Sequence, residues 1–346
     1  MDLSELTTLR VGGPAREIVA PDSADAIVRA ALDVWAGGDD WLVLGGGSNV
    51  VVSDDGFDGT VIRIDSRGIT ALPGDAHAGT TRLRVEAGEP WDELVAFAVA
   101  HGLAGIEALS GIPGSTGASP IQNIGAYGQD MSDVLVAVDF LDFLTGELER
   151  IPAADLVLEY RSSVFKSGRE GIVTAIEIEL DDSDGLSRPV AYDQLAAALG
   201  AHVGDRVPVA DVRTAVLALR ASKGMVLDPG DPDTASAGSF FTNPLVSAGF
   251  ARSLPQAAPR WPTDDGEVKL SAAWLIERAG IRRGFRLPGS RAAISTKHTL
   301  AITNTGGASA ADVTELARFV QERVRNEFGV HLRPEPVYVG MDTLPA

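Results

Sequence analysis

Gly111-Ile-Pro-Gly-Ser-Thr-Gly-Ala-Ser-Pro-Ile-Gln-Asn-Ile-Gly-Ala-Tyr-Gly128 is a run of eighteen residues with five glycines and no charge. It lies in a 346-residue chain whose formal net charge is −19. Glycine has no Cβ to keep a ligand at a distance. An uncharged stretch of Gly, Ser and Asn therefore brings main-chain N–H groups and hydroxyls close to an anion, and phosphate groups are the guests that suit it.

A second glycine turn lies upstream. Residues 40–53 read Asp-Trp-Leu-Val-Leu-Gly-Gly-Gly-Ser-Asn-Val-Val-Val-Ser, a buried strand, a turn and then more β-branched residues. A dinucleotide fingerprint needs a third glycine and a helix directly after the turn, whereas Val50 holds that place here and β-formers follow. The Rossmann reading fails. Strand patterns at 82–87, 134–141 and 171–180, the last alternating Ile172, Thr174, Ile176 and Ile178, mix with helical ones at 209–221 and beyond 312. Asp312 is placed to cap a helix whose apolar stripe is Val313, Leu316, Ala317, Val320 and Val324 and which Gly329 ends. The class is α+β.

Composition narrows the function. With 29 basic against 48 acidic side chains, nucleic acid and anionic membrane surfaces are not the expected partners. The absence of cysteine excludes disulfides, thiolate metal ligands and a flavin tethered through sulfur. His77, His101, His202, His298 and His331 lack ligand spacing, so no metal is expected. No apolar stretch reaches the ~18 residues of a membrane span, and the first ten residues have no signal-peptide core, so the expected location is the cytoplasm.

Two glycine loops in a non-Rossmann α+β chain point to a bound dinucleotide whose pyrophosphate is held by main-chain N–H groups, and FAD suits two separate loops better than a loosely held nicotinamide. The residues expected to form that site are Gly45, Gly46, Gly47, Ser48 and Asn49 with Gly114, Ser115, Gly117, Ser119, Asn123, Gly125 and Tyr127. Taken singly, each loop reads equally well as a tight surface turn. Three further residues have two readings each. Arg161 could clamp a carboxylate through a pair of parallel N–H bonds or make an ordinary ion pair. Ser239 is either a turn residue at a strand end or a proton donor to a strongly basic carbon centre. Glu335, stiffened between Pro334 and Pro336, is an edge-strand guard or a fixed catalytic acid.

Taken in order, Thr8-Leu-Arg-Val-Gly-Gly13, Leu44-Gly-Gly-Gly-Ser-Asn-Val50, the run from Ile112 to Gly128, Tyr160-Arg-Ser-Ser163, Ala237-Gly-Ser-Phe-Phe-Thr-Asn-Pro244 and Pro334-Glu-Pro336 resemble the UDP-N-acetylenolpyruvoylglucosamine reductase family over nearly the whole chain. The resemblance implies an FAD-binding fold of the PCMH/vanillyl-alcohol-oxidase kind. It places FAD-binding lobes at 1–66 and 67–222, a substrate domain at 223–330 and a terminal segment at 331–346 that carries Glu335. It further implies that NADPH reduces a non-covalent FAD, which then passes a hydride from N5 to C3 of an enolpyruvyl group, giving UDP-N-acetylmuramate for peptidoglycan synthesis.

By the same resemblance Ser239 protonates C2, and Arg161 and Glu335 stabilise the enolic intermediate; because an ionised glutamate would repel that intermediate, Glu335 is expected to be protonated or to share a proton. Tyr192 matches a loop tyrosine that closes over substrate in one branch of the family. Lys223 and Asn243 match diphosphate contacts, and Tyr160 and Lys269 are further substrate candidates. Thr242 stands where relatives can carry a lysine and Trp261 where a tyrosine can occur. The expected partner is a UDP-sugar, and the expected state is a monomer. Two rivals stay open at this point: an FAD oxidase on the same fold, and an inactive flavin or UDP-sugar binding module.

Overall fold

The computed structural model describes residues 1–73, 76–263, 265–342 and 344. By internal contacts the chain forms two compact units interleaved in sequence, the first from Met1–Ala15, Gly47–Phe57 and Lys223–Ala346, the second from Arg16–Gly46 and Asp58–Ser222. Packing therefore follows a different division from four consecutive segments. Residues 1–66 are shared between the units, and 343, 345 and 346 of the expected terminal segment lie outside the described residues.

The second unit is built on an antiparallel sheet whose main path runs Leu148–Pro152, Leu135–Asp142, Gly171–Asp182, Thr80–Glu86 and Ile69–Ala71, with Leu103–Ala104 also paired to Gly171–Asp182. The long strand Gly171–Asp182 alternates as its sequence suggested only from Ile176 to Leu180. Ile172, Val173, Thr174, Ala175 and Ile176 are all buried. The strand is central and two apolar clusters cover it, one holding Ile172 with Ile27 and Leu141, the other Val173, Ile176 and Ile178 with Trp91 and Phe140. A strand buried on both faces loses the polar alternation of a one-sided sheet. A smaller sheet pairs Trp41–Leu44 parallel to Phe57–Arg63, so the first glycine turn leaves from a strand end.

In the first unit the helix Ala310–Phe328 lays Val313, Leu316, Ala317, Val320 and Val324 into the core, and Gly329 ends it at φ 68°. Its N-cap is Ser309, not Asp312. Ser309 Oγ accepts the Asp312 N–H at 3.0 Å, and the Asp312 carboxylate accepts the Ser309 N–H at 3.0 Å. Asp312 is thus the third helical residue of a reciprocal capping box. Asp54 accepts the next two amides, from Ala310 at 2.7 Å and Ala311 at 3.0 Å. The extended segment expected after Val330 narrows to the strand Val337–Val339, which pairs parallel with Val50–Val52 beside the first glycine turn. Among the described residues no helix is long and apolar enough to cross a membrane.

Candidate functional site

Within the second unit the start of the first glycine turn, Gly45 and Gly46, meets the longer run. A Cβ added at Gly46 would stand 2.6 Å from the Gly114 Cα, and one at Gly45 would collide with the Ser115 side chain. The main chains touch because neither has a side chain to separate them. The longer run is stitched down along its length: Trp91 N–H to Gly114 C=O at 3.0 Å, Thr116 N–H to Glu89 C=O at 2.8 Å, and Gly117 N–H to Ala87 C=O at 2.8 Å. Gly117 is obligatory for that contact, since its Cβ would lie 2.5 Å from the Ala87 Cβ.

Ser119 and Asn123 are buried and face inward. Ser119 Oγ donates to Thr116 C=O at 2.6 Å. Asn123, at φ 43°, accepts the Ser132 N–H at 2.9 Å and donates to Glu159 C=O at 3.2 Å. These side chains shape the loop.

Arg161 is bound to the same run. It stands at φ 55° in a tight turn where Glu159 and Ser162 exchange main-chain bonds at 3.2 Å. Its guanidinium donates to Asn123 C=O at 3.0 Å and to Gly125 C=O at 2.6 Å, with Asp130 at 3.7 Å and the half-exposed Tyr160 ring 5.3 Å from its central carbon. Ser163, buried beside it, donates to Ile121 C=O at 2.6 Å. At the far end of the run Tyr127, at φ 51°, meets the exposed Tyr192 ring edge-on at 6.4 Å.

The first unit joins the serine and glutamate motifs. Ser239 occupies a bend, not a strand end. It follows Gly238 at φ 71° and precedes Phe240 and Phe241, which are fully buried and meet in a T-shaped pair at 5.3 Å. The Glu335 N–H donates to Phe240 C=O at 2.9 Å and the Thr242 N–H to Arg333 C=O at 3.1 Å, so the Pro334-Glu335-Pro336 segment runs along the serine motif. Asn49 of the first glycine turn reaches the same segment, donating from Nδ2 to Glu335 C=O at 3.2 Å and accepting the Val337 N–H at 2.9 Å.

The expected nucleotide contacts also lie in the first unit. Asn243 Oδ1 accepts the Ala272 N–H at 3.0 Å, and Lys269 lies between Leu245 and Trp261 in a three-stranded sheet. Lys223 acts on His298, a residue that sequence reasoning had set aside. Burial holds the His298 pKa down to about 4, and the charges of Lys223 and Arg283 add to that. The imidazole is therefore neutral at physiological pH. No motif around His298 announces this, because Lys223 comes from far away in the sequence.

Two further residues missed at the sequence level are Asp92 and Arg213. Arg213 binds both oxygens of Asp92, at 2.7 and 2.9 Å, and Asp92 accepts the Gly111 N–H at 2.6 Å. A carboxylate in the first turn of a helix next to a glycine run was the available signal.

Residues 15–152 match an FAD binding domain, and residues 231–339 match the C-terminal domain of UDP-N-acetylenolpyruvoylglucosamine reductase. With the α+β sheets and the paired glycine loops, this defines an FAD-binding protein of the α+β class. A protein from Leifsonia xyli subsp. xyli named UDP-N-acetylenolpyruvoylglucosamine reductase is 56% identical, covering 98% of each chain, and one of the same name from Saccharopolyspora erythraea is 51% identical over 97% of this chain and 94% of its own. The crystal structure of UDP-N-acetylenolpyruvylglucosamine reductase from Thermus caldophilus superposes with a TM-score of 0.66 at 28% identity, covering 98% of this chain and 97% of that one. The chain belongs to the UDP-N-acetylenolpyruvoylglucosamine reductase family.

Proposed function

We infer that the chain reduces UDP-N-acetylglucosamine enolpyruvate to UDP-N-acetylmuramate, a step of peptidoglycan precursor synthesis, with FAD as its cofactor and NADPH as its reductant. The observation that carries this reading is the close packing of Gly45 and Gly46 against Gly114 and Ser115, which a Cβ on either glycine would break, inside a chain whose family is established over 98% of its length. FAD, when bound, supplies hydride transfer, from NADPH and then to C3 of the enolpyruvyl group. The chain's own residues supply the rest.

Ser239 is the proposed proton donor to C2. A hydroxyl is a weak acid, and only a centre with carbanion or enol character is basic enough to take its proton. Arg161 and Glu335 are the proposed stabilisers of the negative charge that develops at the substrate carboxylate, Arg161 by charge and Glu335 by a hydrogen bond from its protonated form. The Glu335 main chain is fixed on both sides, by Phe240 and Asn49, which suits a group that must not swing away. The glycine loops, with Ser48, Asn49, Ser119, Asn123 and Tyr127, form the proposed FAD site, held without a covalent bond: the chain has no cysteine, and no histidine lies in either glycine loop.

Tyr160, Tyr192, Lys223, Asn243 and Lys269 are assigned to the UDP-sugar, with residues 223–330 as its domain. Lys223 gives an acidic protein the local positive charge that a diphosphate requires. A cytoplasmic monomer is the proposed working state.

Anaerobic half-reactions test the assignment. The purified protein should be yellow, NADPH should bleach its flavin band, and the UDP-enolpyruvyl sugar should restore it. A reduced flavin that the sugar leaves bleached would remove the reductase reading and favour an oxidase.

A further inference from the structure

The helix Val209–Ala221 carries Arg213 and Arg220 seven residues apart, two turns along one face. Arg213 acts on the uncharged run through Asp92, whose carboxylate takes two parallel bonds from the guanidinium and a third from the amide of Gly111, the first residue of the run. The charge of Arg220 further favours the ionised form of Asp92. Tyr127 also packs against the apolar cluster that Val212 and Val216 of this helix share with Val190 and Leu195.

The chemistry of the Asp92 contacts is directional. Burial alone would raise the Asp92 pKa, but the Arg213 fork and the Gly111 amide outweigh it and hold the carboxyl below its ordinary range. A carboxylate with three donors keeps its orientation, and a planar guanidinium that binds both oxygens fixes it in the plane. An apolar contact between the same two helices would hold them together without aiming any group at Gly111. Helix Trp91–Ala100, which carries Asp92, starts directly after Pro90, itself bridged to Ser115 in the heart of the run. The ion pair therefore acts on the backbone that approaches Gly45 and Gly46.

We propose that Arg213 and Asp92 are positioning residues for the FAD cradle, setting the path of the run from Gly111 to Ser115 so that its main-chain donors are preorganised for the cofactor. This rests on the FAD reading given above. Preorganised donors bind more tightly because the loop loses less freedom when the ligand arrives. The side chains are 18% exposed for Arg213 and 39% for Asp92, so solvent screens part of the interaction and the effect is moderate.

The test is FAD binding to the apoprotein, followed by flavin fluorescence, for wild type, Asp92→Asn, Arg213→Gln, the double variant and Arg213→Lys. Thermal unfolding of each apoprotein and hydrogen exchange of the 111–117 backbone accompany it. Each single variant is expected to weaken FAD binding about tenfold, roughly 1.4 kcal/mol. The double variant should be little worse than either single one, because one coupled interaction is lost in all three. Arg213→Lys, which keeps the charge without the fork, should fall in between, and exchange at 111–117 should speed up while the rest of the protein stays protected. A purely structural pair would lower the unfolding temperature and leave the FAD dissociation constant of the folded variants unchanged. That result, or additive losses in the double variant, overturns the proposal. Wild-type protein that binds no FAD would instead remove the cofactor reading itself.

Discussion

The amide of Glu335 donates to the carbonyl of Phe240 at 2.9 Å, so the residue next to Ser239 and the carboxylate-bearing residue of the terminal segment share a main-chain bond. Neither side chain takes part in it. The backbone fixes where both start, and Ser239 and Glu335 keep their functional groups for other partners. Replacing one side chain should therefore leave the other in place.

Ser239→Ala is expected to retain NADPH reduction of the bound flavin and to slow the substrate-dependent return of the flavin band by about 10²–10⁴-fold, the loss that follows removal of a general acid. Stopped-flow absorbance of the two half-reactions measures both. Equal loss in each half would show that the serine supports the fold and does not deliver the proton.

Gly46→Ala brings a methyl group within 2.6 Å of the Gly114 Cα and 2.9 Å of its carbonyl carbon, main-chain atoms that cannot rotate away. Overpacking of this kind costs about 1–3 kcal/mol. Because the shift falls on the cradle, the variant should purify largely without FAD. A fully yellow Gly46→Ala protein would show that the two loops separate easily.

Arg161→Lys keeps the positive charge but loses the two-pronged grip on the carbonyls of Asn123 and Gly125. Those carbonyls lose charge-assisted partners, at a cost of about 1–3 kcal/mol. The lysine variant should unfold at a lower temperature than wild type, as read by calorimetry, and should bind the UDP-sugar less well. Unchanged stability would mean that the bonds to the run carry no weight.

His298 gives the first unit a pH dependence. Its folded pKa, about 4, lies below its ordinary 6.5, so between these values the unfolded chain binds more protons than the folded one. The stabilisation is complete above pH 6.5 and is lost as the pH falls toward 4, by about 1–3 kcal/mol. Urea unfolding of wild type against His298→Gln at pH 7.5, 5.5 and 4 isolates the contribution, and the variant should show a flatter profile in that window. Parallel profiles would assign the acid sensitivity to carboxylates alone.

Among the described residues the buried hydroxyl of Tyr338 has no hydrogen-bond partner, and burial pushes its pKa up. An unsatisfied buried hydroxyl costs free energy that a ring hydrogen does not, so Tyr338→Phe should stabilise the protein by up to about 1 kcal/mol. Thermal unfolding would show a rise in midpoint. A fall would reveal a partner for the hydroxyl.

Local patterns carried the local structure. The helix Val209–Ala221 has the bounds its sequence suggested, because Pro208 sets its start and its apolar residues follow one face. Ser309 and Asp312 both have capping chemistry; the sequence reading put the cap on Asp312, whereas Ser309 holds it and Asp312 takes the third helical position. Arg161 was legible as a residue able to bind two acceptors in parallel, but its acceptors in this fold are main-chain carbonyls, which no side-chain pattern announces. The interleaving of the two units was also invisible. It involves, among other contacts, the pairing of Val337–Val339 with Val50–Val52, for which any short β-branched strand would have looked equally suitable.

That parallel pairing also bears on the order in which the protein is made. As the chain leaves the ribosome, Arg16–Gly46 and Asp58–Ser222 are complete before most of Lys223–Ala346 exists, so the second unit can fold during synthesis. The segments Met1–Ala15 and Gly47–Phe57 can bond to each other early, as Gly13 N–H to Ser53 C=O and Phe57 N–H to Pro14 C=O show, but their partners at Ser236, Asn304 and Val337 emerge late. Closing so long a loop is slow. Truncation before Val337 would thus leave the strand Val50–Val52, at the opposite end of the sequence, without its parallel partner.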